Sequence, residues 1–216
     1  MQPIISIVGK SDSGKTTLLE GLVAELKQRG YRAAVLKHSA EDLEFDQAGK
    51  DSWRFSQAGS EISAINSSRK LAVYRKLVDD LKPQELPNFI GDDYDLILTE
   101  GFKKDHHPKI EVHRNAQGKE LLSPTRQLIA VVTDEPLEVD APQFSKEEMP
   151  KIADLIENIL LTHHIENEVD LFVNNDHIPI KETTRDLLSR TLTAMVSDLK
   201  EGVEISSLRI FMRRKS

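Results

Sequence analysis

The sequence predicts an α/β fold, a mostly parallel, doubly wound sheet followed by a small ββαβ unit. Three observations lead there. Short apolar, β-branched runs recur at 4–8, 33–36, 95–99, 109–113 and 128–132. Stretches with helical apolar spacing separate or follow them, at 15–28 and 146–161. Strands alternating with helices imply parallel pairing with crossover connections. Beyond residue 166 the pattern changes to two short strands, one long amphipathic stretch and a last strand. We therefore expect a first domain at 1–165 and a C-terminal unit at 166–216, too small to be very stable alone.

The first strand, 4–8, leads directly into Gly9, Lys10, Ser11, Asp12, Ser13, Gly14, Lys15 and Thr16, and a helix from Lys15 to Gln28 follows. A G-x-x-x-x-G-K-T run between strand and helix is the context of a P-loop. The glycines let successive backbone N–H groups turn towards phosphates, and the helix N-terminus adds a partial positive charge worth ~0.3–1 kcal/mol per exposed anionic group. Lys15 can reach the β/γ-phosphates, and the Thr16 hydroxyl suits Mg²⁺. The P-loop NTPase class is the reading these residues support.

Gly30 ends the first helix, and the second strand closes at Lys37-His38. Residues 39–45, with Asp42 and Glu44, read as an acidic loop, after which Asp51 or Ser52 can cap a short helix through Ala58. Residues 61–66 and 70–73 read as a strand pair joined at Ser67-Ser68, and 77–90 as helical pieces broken by Pro83 and Pro87. In the C-terminal unit, strands at 169–173 and 178–180 flank a turn at 174–177. A helix at 183–199 and a strand at 208–212 follow.

Ligands of open parallel sheets sit outside the carboxyl ends of the strands. Asp95 opens its strand and Glu100 closes it, roughly 16 Å away at ~3.3 Å per residue. Glu100 is therefore the acid expected near Lys15 and Thr16, and Asp95 is expected at a strand edge. The same rule brings Lys37-His38, Asp46 and Thr133-Asp134 towards the site. Asp134 is placed to accept from guanine N1–H and N2–H₂, although no N-K-x-D is present. The candidate catalytic residues are thus Lys15, Asp46 and Glu100; the metal residues are Thr16, Glu100 and Asp46; the nucleotide residues are 9–17, Thr17 included, with Thr133 and Asp134. His106-His107 and His163-His164 diverge as adjacent side chains and read as exposed turn residues.

The chain has 216 residues, 38% hydrophobic and 5% aromatic. Its net charge of −7, from 29 basic and 36 acidic residues, argues against general nucleic-acid binding. Basic residues at Arg209, Arg213, Arg214 and Lys215 read as a solvated end. The absence of cysteine excludes disulfides, thiolate metal sites and thiol nucleophiles. No apolar run approaches ~18 residues, and the first strand begins at once, so no membrane span or signal peptide is expected and the expected location is cytoplasmic.

Several runs stand together in order: the P-loop, Leu36-Lys37-His38, Asp42, Asp46, Gly49-Lys50-Asp51-Ser52, Ala58-Gly59, residues 95–103, Pro108 to Val112, Arg114, and 132–136. Over about 1–165 they resemble the molybdopterin-guanine dinucleotide biosynthesis protein B (MobB) family. The Gly49–Ser52 run combined with Glu100-Gly101-Phe102-Lys103 is the specific part. The resemblance implies GTP and Mg²⁺ as cofactors, weak GTP hydrolysis, a homodimer, and work beside the pterin-cofactor nucleotidyltransferase. Direct binding of molybdopterin is left open. By the same resemblance Gly14 to Thr17 hold phosphates, Thr16 and Glu100 serve Mg²⁺, and Asp134 reads guanine. Ala48 replaces a common proline, and Ala40-Glu41 stand where histidines commonly follow Lys-His, which weighs against a histidine-lined second site.

No glutamine is clearly placed to orient water, so slow turnover is expected. Arg54, or Lys50 from a second copy, could complete the site. Two other classes share the fold. A small-molecule kinase or ligase would need a lid, for which Arg69, Arg75 and Arg126 are scattered; a metal-delivery GTPase would need a Cys/His motif.

Overall fold

Strand β1 (Ile4–Gly9) is buried along its whole length and lies mid-sheet. In this computed structural model, residues 2–39, 46–91, 93–118, 120–163, 169, 171–173, 176–197 and 208 are described. With β2 (Ala33–Lys37), β5 (Leu96–Glu100), β6 (Lys109–Val112), β7 (Leu128–Val132) and β8 (Gln143–Phe144), β1 forms a sheet of order β2-β5-β1-β6-β7-β8. Every pairing in it is parallel. A central strand covered on both faces needs a near-continuous apolar run, and Ile4, Ile5, Ile7 and Val8 supply it. The one buried hydroxyl there, Ser6, accepts from Thr99 on β5 at 2.9 Å.

Helix α1 (Lys15–Gln28) buries Leu18, Leu19, Leu22 and Leu26, one apolar stripe at helical spacing. Each such burial contributes roughly 1.5–3 kcal/mol. The helix stops where the sequence indicates. Gly30 has φ 91°, its N–H bonds to the Lys27 carbonyl, and the Tyr31 N–H bonds to that of Leu26, a Schellman termination. Arg29, at the same end, donates to Glu25, Asp154, Glu157 and the Pro150 carbonyl. Gly21 meets the Met149 side chain so closely that a Cβ would lie 2.5 Å from its terminal methyl.

Several expectations shift. Strand β8 escaped notice because two residues carry no periodicity. Helix α2 (Asp51–Gln57) has Lys50 at its N-cap, so Asp51 and Ser52 lie inside the first turn; the Ser52 hydroxyl instead donates to Asp46 Oδ1. Pro83 and Pro87 open their short helices, a 3₁₀ turn at Pro83–Glu85 and α3 (Pro87–Ile90), where a missing N–H costs nothing. Strands β3 (Ile62–Asn66) and β4 (Leu71–Arg75) form the expected antiparallel hairpin. Helix α4 spans Met149–His163, later than 146–161.

The chain divides into two compact units within α4, between Glu157 and Asn158. In the second, β9 (Leu171–Val173) pairs antiparallel with β10 (Asp176–Ile178), and α5 (Glu182–Ser197) follows. Asp176 and His177 are therefore strand residues, not turn residues. Of the expected strand at 208–212, Leu208 is described and is not in a strand; residues 209–212, the C-terminal basic residues, the 39–45 loop beyond Ser39 with Asp42 and Glu44, and His164 lie outside the described residues. No helix among the described residues is long and apolar enough to cross a membrane.

Candidate functional site

The cradle forms because the chain must turn sharply between β1 and α1. Gly9 leaves the strand at φ 154°, and a Cβ there would lie 2.5 Å from the Val112 carbonyl oxygen and 2.6 Å from Ser13 Oγ. Gly14 takes φ 99° at the helix N-cap with no side chain closing it. Asp12 also adopts a left-handed conformation, φ 56°. The first-turn N–H groups of α1 thus stay available to a ligand.

Three side chains define the chemistry. Lys15 Nζ donates to the Lys10 carbonyl at 2.7 Å, so the ammonium folds back over its own loop. Burial holds its pKa below the usual lysine value, with Lys103 and Lys37 acting in the same direction and Glu100 and Asp12 opposing. Thr16 Oγ1 donates to Glu100 Oε2 at 3.0 Å, and Lys37 Nζ lies 3.4 Å from Glu100 Oε1. Ser13 Oγ is buried without a partner among the described residues. A glycine cradle, a stranded hydroxyl and a Thr–Glu pair fit a Mg²⁺–phosphate group, because Mg²⁺ is held by one or two protein oxygens plus phosphates rather than by a full protein cage.

Glu100 stands where strand polarity puts it. Asp95 is at the other end of β5, where its Oδ2 accepts from the Arg32 backbone N–H at 2.6 Å. His38 follows β2, bonds through its N–H to the Glu100 carbonyl and packs against Phe102 at 5.0 Å between ring centroids.

Other candidates are not gathered there. Asp46 Oδ1 accepts from the Gln47 N–H and the Ser52 hydroxyl, both at 2.9 Å, and Asp46 lines a cavity with α2 and the β3–β4 hairpin that none of residues 9–17 lines. Thr133 is buried, its hydroxyl donating to the Glu135 carbonyl. Asp134 Oδ1 accepts from the Asn115 backbone N–H at 3.0 Å, which holds its pKa below the usual carboxylate value. Neither residue lines the cavity of about 450 Å³ beside the cradle, which Gly14, Thr17, Val112, Arg114, Lys146 and Met149 help to form. Among the described residues no group of three or more His, Asp or Glu could hold a metal alone.

The loop after β6 carries residues to which the motif gave no role. Arg114 Nε donates to the Ser13 carbonyl at 3.0 Å, Gln117 Nε2 to that of Ser11 at 2.7 Å, and Lys10 Nζ to the Gln117 carbonyl. The P-loop is braced from outside. The signal was available: Gly9 pairs with Val112, so whatever follows β6 must flank the cradle. Of the paired histidines, His106 is exposed as expected, but His107 is half-buried against Gln84.

A parallel sheet with a phosphate cradle at the end of its central strand defines a P-loop NTPase fold. Within that class, the sequence profile of Molybdopterin guanine dinucleotide synthesis protein B matches residues 4–134. The chain is 40% identical over 167 residues to the Haemophilus influenzae molybdopterin-guanine dinucleotide biosynthesis adapter protein, covering 75% of this chain and 90% of that protein. To the Escherichia coli protein of the same description it is 34% identical over 161 residues, 72% and 92% of the two chains. A crystal structure of molybdopterin-guanine biosynthesis protein B superposes with TM-score 0.57 at 34% identity, covering 73% of this chain and 99% of that one. Bacillus subtilis MobB superposes with TM-score 0.59 at 27% identity, over 72% and 96%. The chain belongs to the MobB family.

Proposed function

We propose that the chain binds Mg·GTP in the Gly9–Thr17 cradle and acts as a nucleotide-dependent adapter in assembly of the molybdopterin guanine dinucleotide cofactor. The observation that carries it is the Thr16–Glu100 hydrogen bond at the mouth of a cradle whose Ser13 hydroxyl lacks a partner. The adapter role is supported by the names of the curated relatives. In this reading the backbone N–H groups of 14–17 and the Lys15 ammonium bind phosphate oxygens, and Thr16 and Glu100 hold the cation. Mg²⁺ supplies positive charge beside the β- and γ-phosphates. The glutamine found at the cradle, Gln117, has its amide nitrogen engaged on Ser11, so it braces the loop rather than orienting water. Hydrolysis is accordingly slow, and bound nucleotide acts mainly as a signal to partners. A homodimer working beside the cofactor nucleotidyltransferase in the cytoplasm completes the proposal.

Calorimetric titration of the full chain with GTP and ATP, each with and without Mg²⁺, tests it. GTP binding at least tenfold tighter than ATP is expected. A preference for ATP sinks the guanine assignment, and no nucleotide binding sinks the whole reading.

A further inference from the structure

The cradle has two unlike sides. Towards β6 and β7 it adjoins the cavity of about 450 Å³, whose walls include Leu18, Val112, Val132 and Met149. Towards β5 and β2 it meets Glu100 and then Lys37, whose Nζ lies 3.4 Å from Glu100 Oε1. The sheet order β2-β5-β1-β6-β7-β8 sets these two features on opposite sides of β1. A nucleoside suits the first, since small-molecule sites are mostly apolar clefts of ~300–1,000 Å³. The end of a phosphate chain suits the second, because cations gather there. Burial lowers the Lys15 pKa, Lys103 and Lys37 add to the lowering, and Glu100 opposes it, so all four groups share one small region.

Strand register puts Lys37 there. It pairs with Glu100 across β2 and β5, and the His38 N–H donates to the Glu100 carbonyl at 3.0 Å. The backbone at the end of β2 is thereby fixed, while the ammonium keeps its freedom on a flexible stem. Its side chain is 63% exposed, and 3.4 Å is longer than the ~2.7–2.9 Å of a charge-assisted hydrogen bond. Glu100 is its one ion-pair partner among the described residues, and Glu100 also accepts from Thr16. With Glu100 assigned to the cation, Lys37 becomes a positive charge ready for another anion. A terminal phosphate carries roughly −2 charge near neutral pH, more than Lys15 balances alone.

We propose that Lys37 reads the terminal phosphate of the bound nucleotide and so makes the cradle distinguish GTP from GDP. The inference rests on the cradle taking Mg·GTP. GDP offers a phosphate to Lys15 but presents no further one towards β2, so its binding does not depend on Lys37. Lys103 is the rival cation. It follows Phe102, which takes a left-handed φ of 52°, and no strand pairing holds it. A bound-nucleotide signal needs a group that differs between the two nucleotides, and Lys37 exchanging Glu100 for a phosphate is such a group.

Calorimetric titration of the full chain with GTP and with GDP, both with Mg²⁺, tests the assignment. The unmodified chain should bind GTP more tightly than GDP. Lys37→Met should lower the GTP-over-GDP affinity ratio at least tenfold, and Lys37→Arg, which keeps the charge, should retain most of it. Lys103→Met should lower it less than threefold. Thermal melts accompany each variant, and Lys37→Arg keeps a cation beside Glu100 if Lys37→Met is destabilised. A loss by Lys37→Met that is equal for GTP and GDP means that Lys37 only balances Glu100, and overturns the proposal. No loss, no initial preference for GTP, or a preference that disappears with Lys103→Met instead, overturns it too. The unmodified chain separates the two readings: failure to bind either nucleotide removes both, whereas tight GTP binding with a ratio indifferent to Lys37 removes only this one.

Discussion

Thr16 and Glu100 stand 84 residues apart in the chain and meet at 3.0 Å, the hydroxyl of the first turn of α1 donating to the carboxylate that closes β5. The contact follows from register. Ile7 on β1 pairs with Glu100, so the strand end and the helix start lie at one level of the sheet. Glu100 is 9% exposed, and its charge is offset by Lys37 at 3.4 Å. A carboxylate kept there beside a hydroxyl is arranged for a cation.

Glu100→Gln retains a hydrogen-bonding partner for Thr16 but removes the charge. GTP affinity in the presence of Mg²⁺ is expected to fall tenfold or more, while affinity without Mg²⁺ changes less than twofold. Calorimetry under both conditions reads the difference, and an equal loss in both would remove Glu100 from the cation site.

Gly9→Ala tests the cradle's backbone. The new methyl would sit 2.5 Å from the Val112 carbonyl oxygen, which is backbone of the adjacent strand and cannot yield easily. It would also hold φ 154° in a conformation that side chains disfavour. We expect a loss of roughly 3 kcal/mol or more, strain and clash combined, in denaturant unfolding. A variant as stable as the unmodified chain would mean that the β1–β6 register differs from the one described.

Burial depresses the pKa of His107, opposed by Asp105 and assisted by Lys109 and His106. The folded state therefore binds its proton less readily than the unfolded chain. The stability from neutral His107 is complete above the ordinary value of 6.5 and is lost as pH falls towards the depressed folded value. Denaturation midpoints should decline as pH is lowered from 6.5, and His107→Gln should flatten part of that decline. Identical pH profiles for the two proteins would count against burial as the cause.

The β-branched runs made the sheet legible, because a strand buried on both faces must be continuously apolar. The two-residue edge strand at Gln143 was not, since it carries neither a run nor an alternation. At the site, strand polarity was enough to separate Glu100 from Asp95. For Asp46 it did not show the local partners, since the carboxylate accepts from Gln47 and Ser52 and lines a cavity with the hairpin. Asp134 shows a further limit. A carboxylate following a strand can be read as a ligand group, but no spacing rule reveals that the Asn115 N–H already uses one of its oxygens. Long-range pairing of loops is the part that local pattern does not encode.

The brace behind the cradle supplies the last prediction. A P-loop directs N–H groups inward, so some of its carbonyls face outward and need donors. Arg114 serves the Ser13 carbonyl and Gln117 that of Ser11, while Lys10 reaches back to the Gln117 carbonyl. The loop carrying them is fixed in turn, because Asp134 accepts from Asn115 and the Asn115 amide donates to Glu135 at 2.6 Å. Arg114 acts through the loop as a positioning residue. Losing one of these donors should cost roughly 1–2 kcal/mol of cradle order, a fall in GTP affinity of about five- to thirtyfold. Gln117→Ala should show this loss although it removes no charge, and the amides of 11–14 should exchange hydrogen faster in the free protein. Arg114→Lys should recover little, since an ammonium does not reproduce the guanidinium's fixed donor at 3.0 Å. If Arg114→Lys instead restores affinity, and amide exchange in the free protein is unchanged, Arg114 acts by its charge on the nucleotide and not by holding the loop.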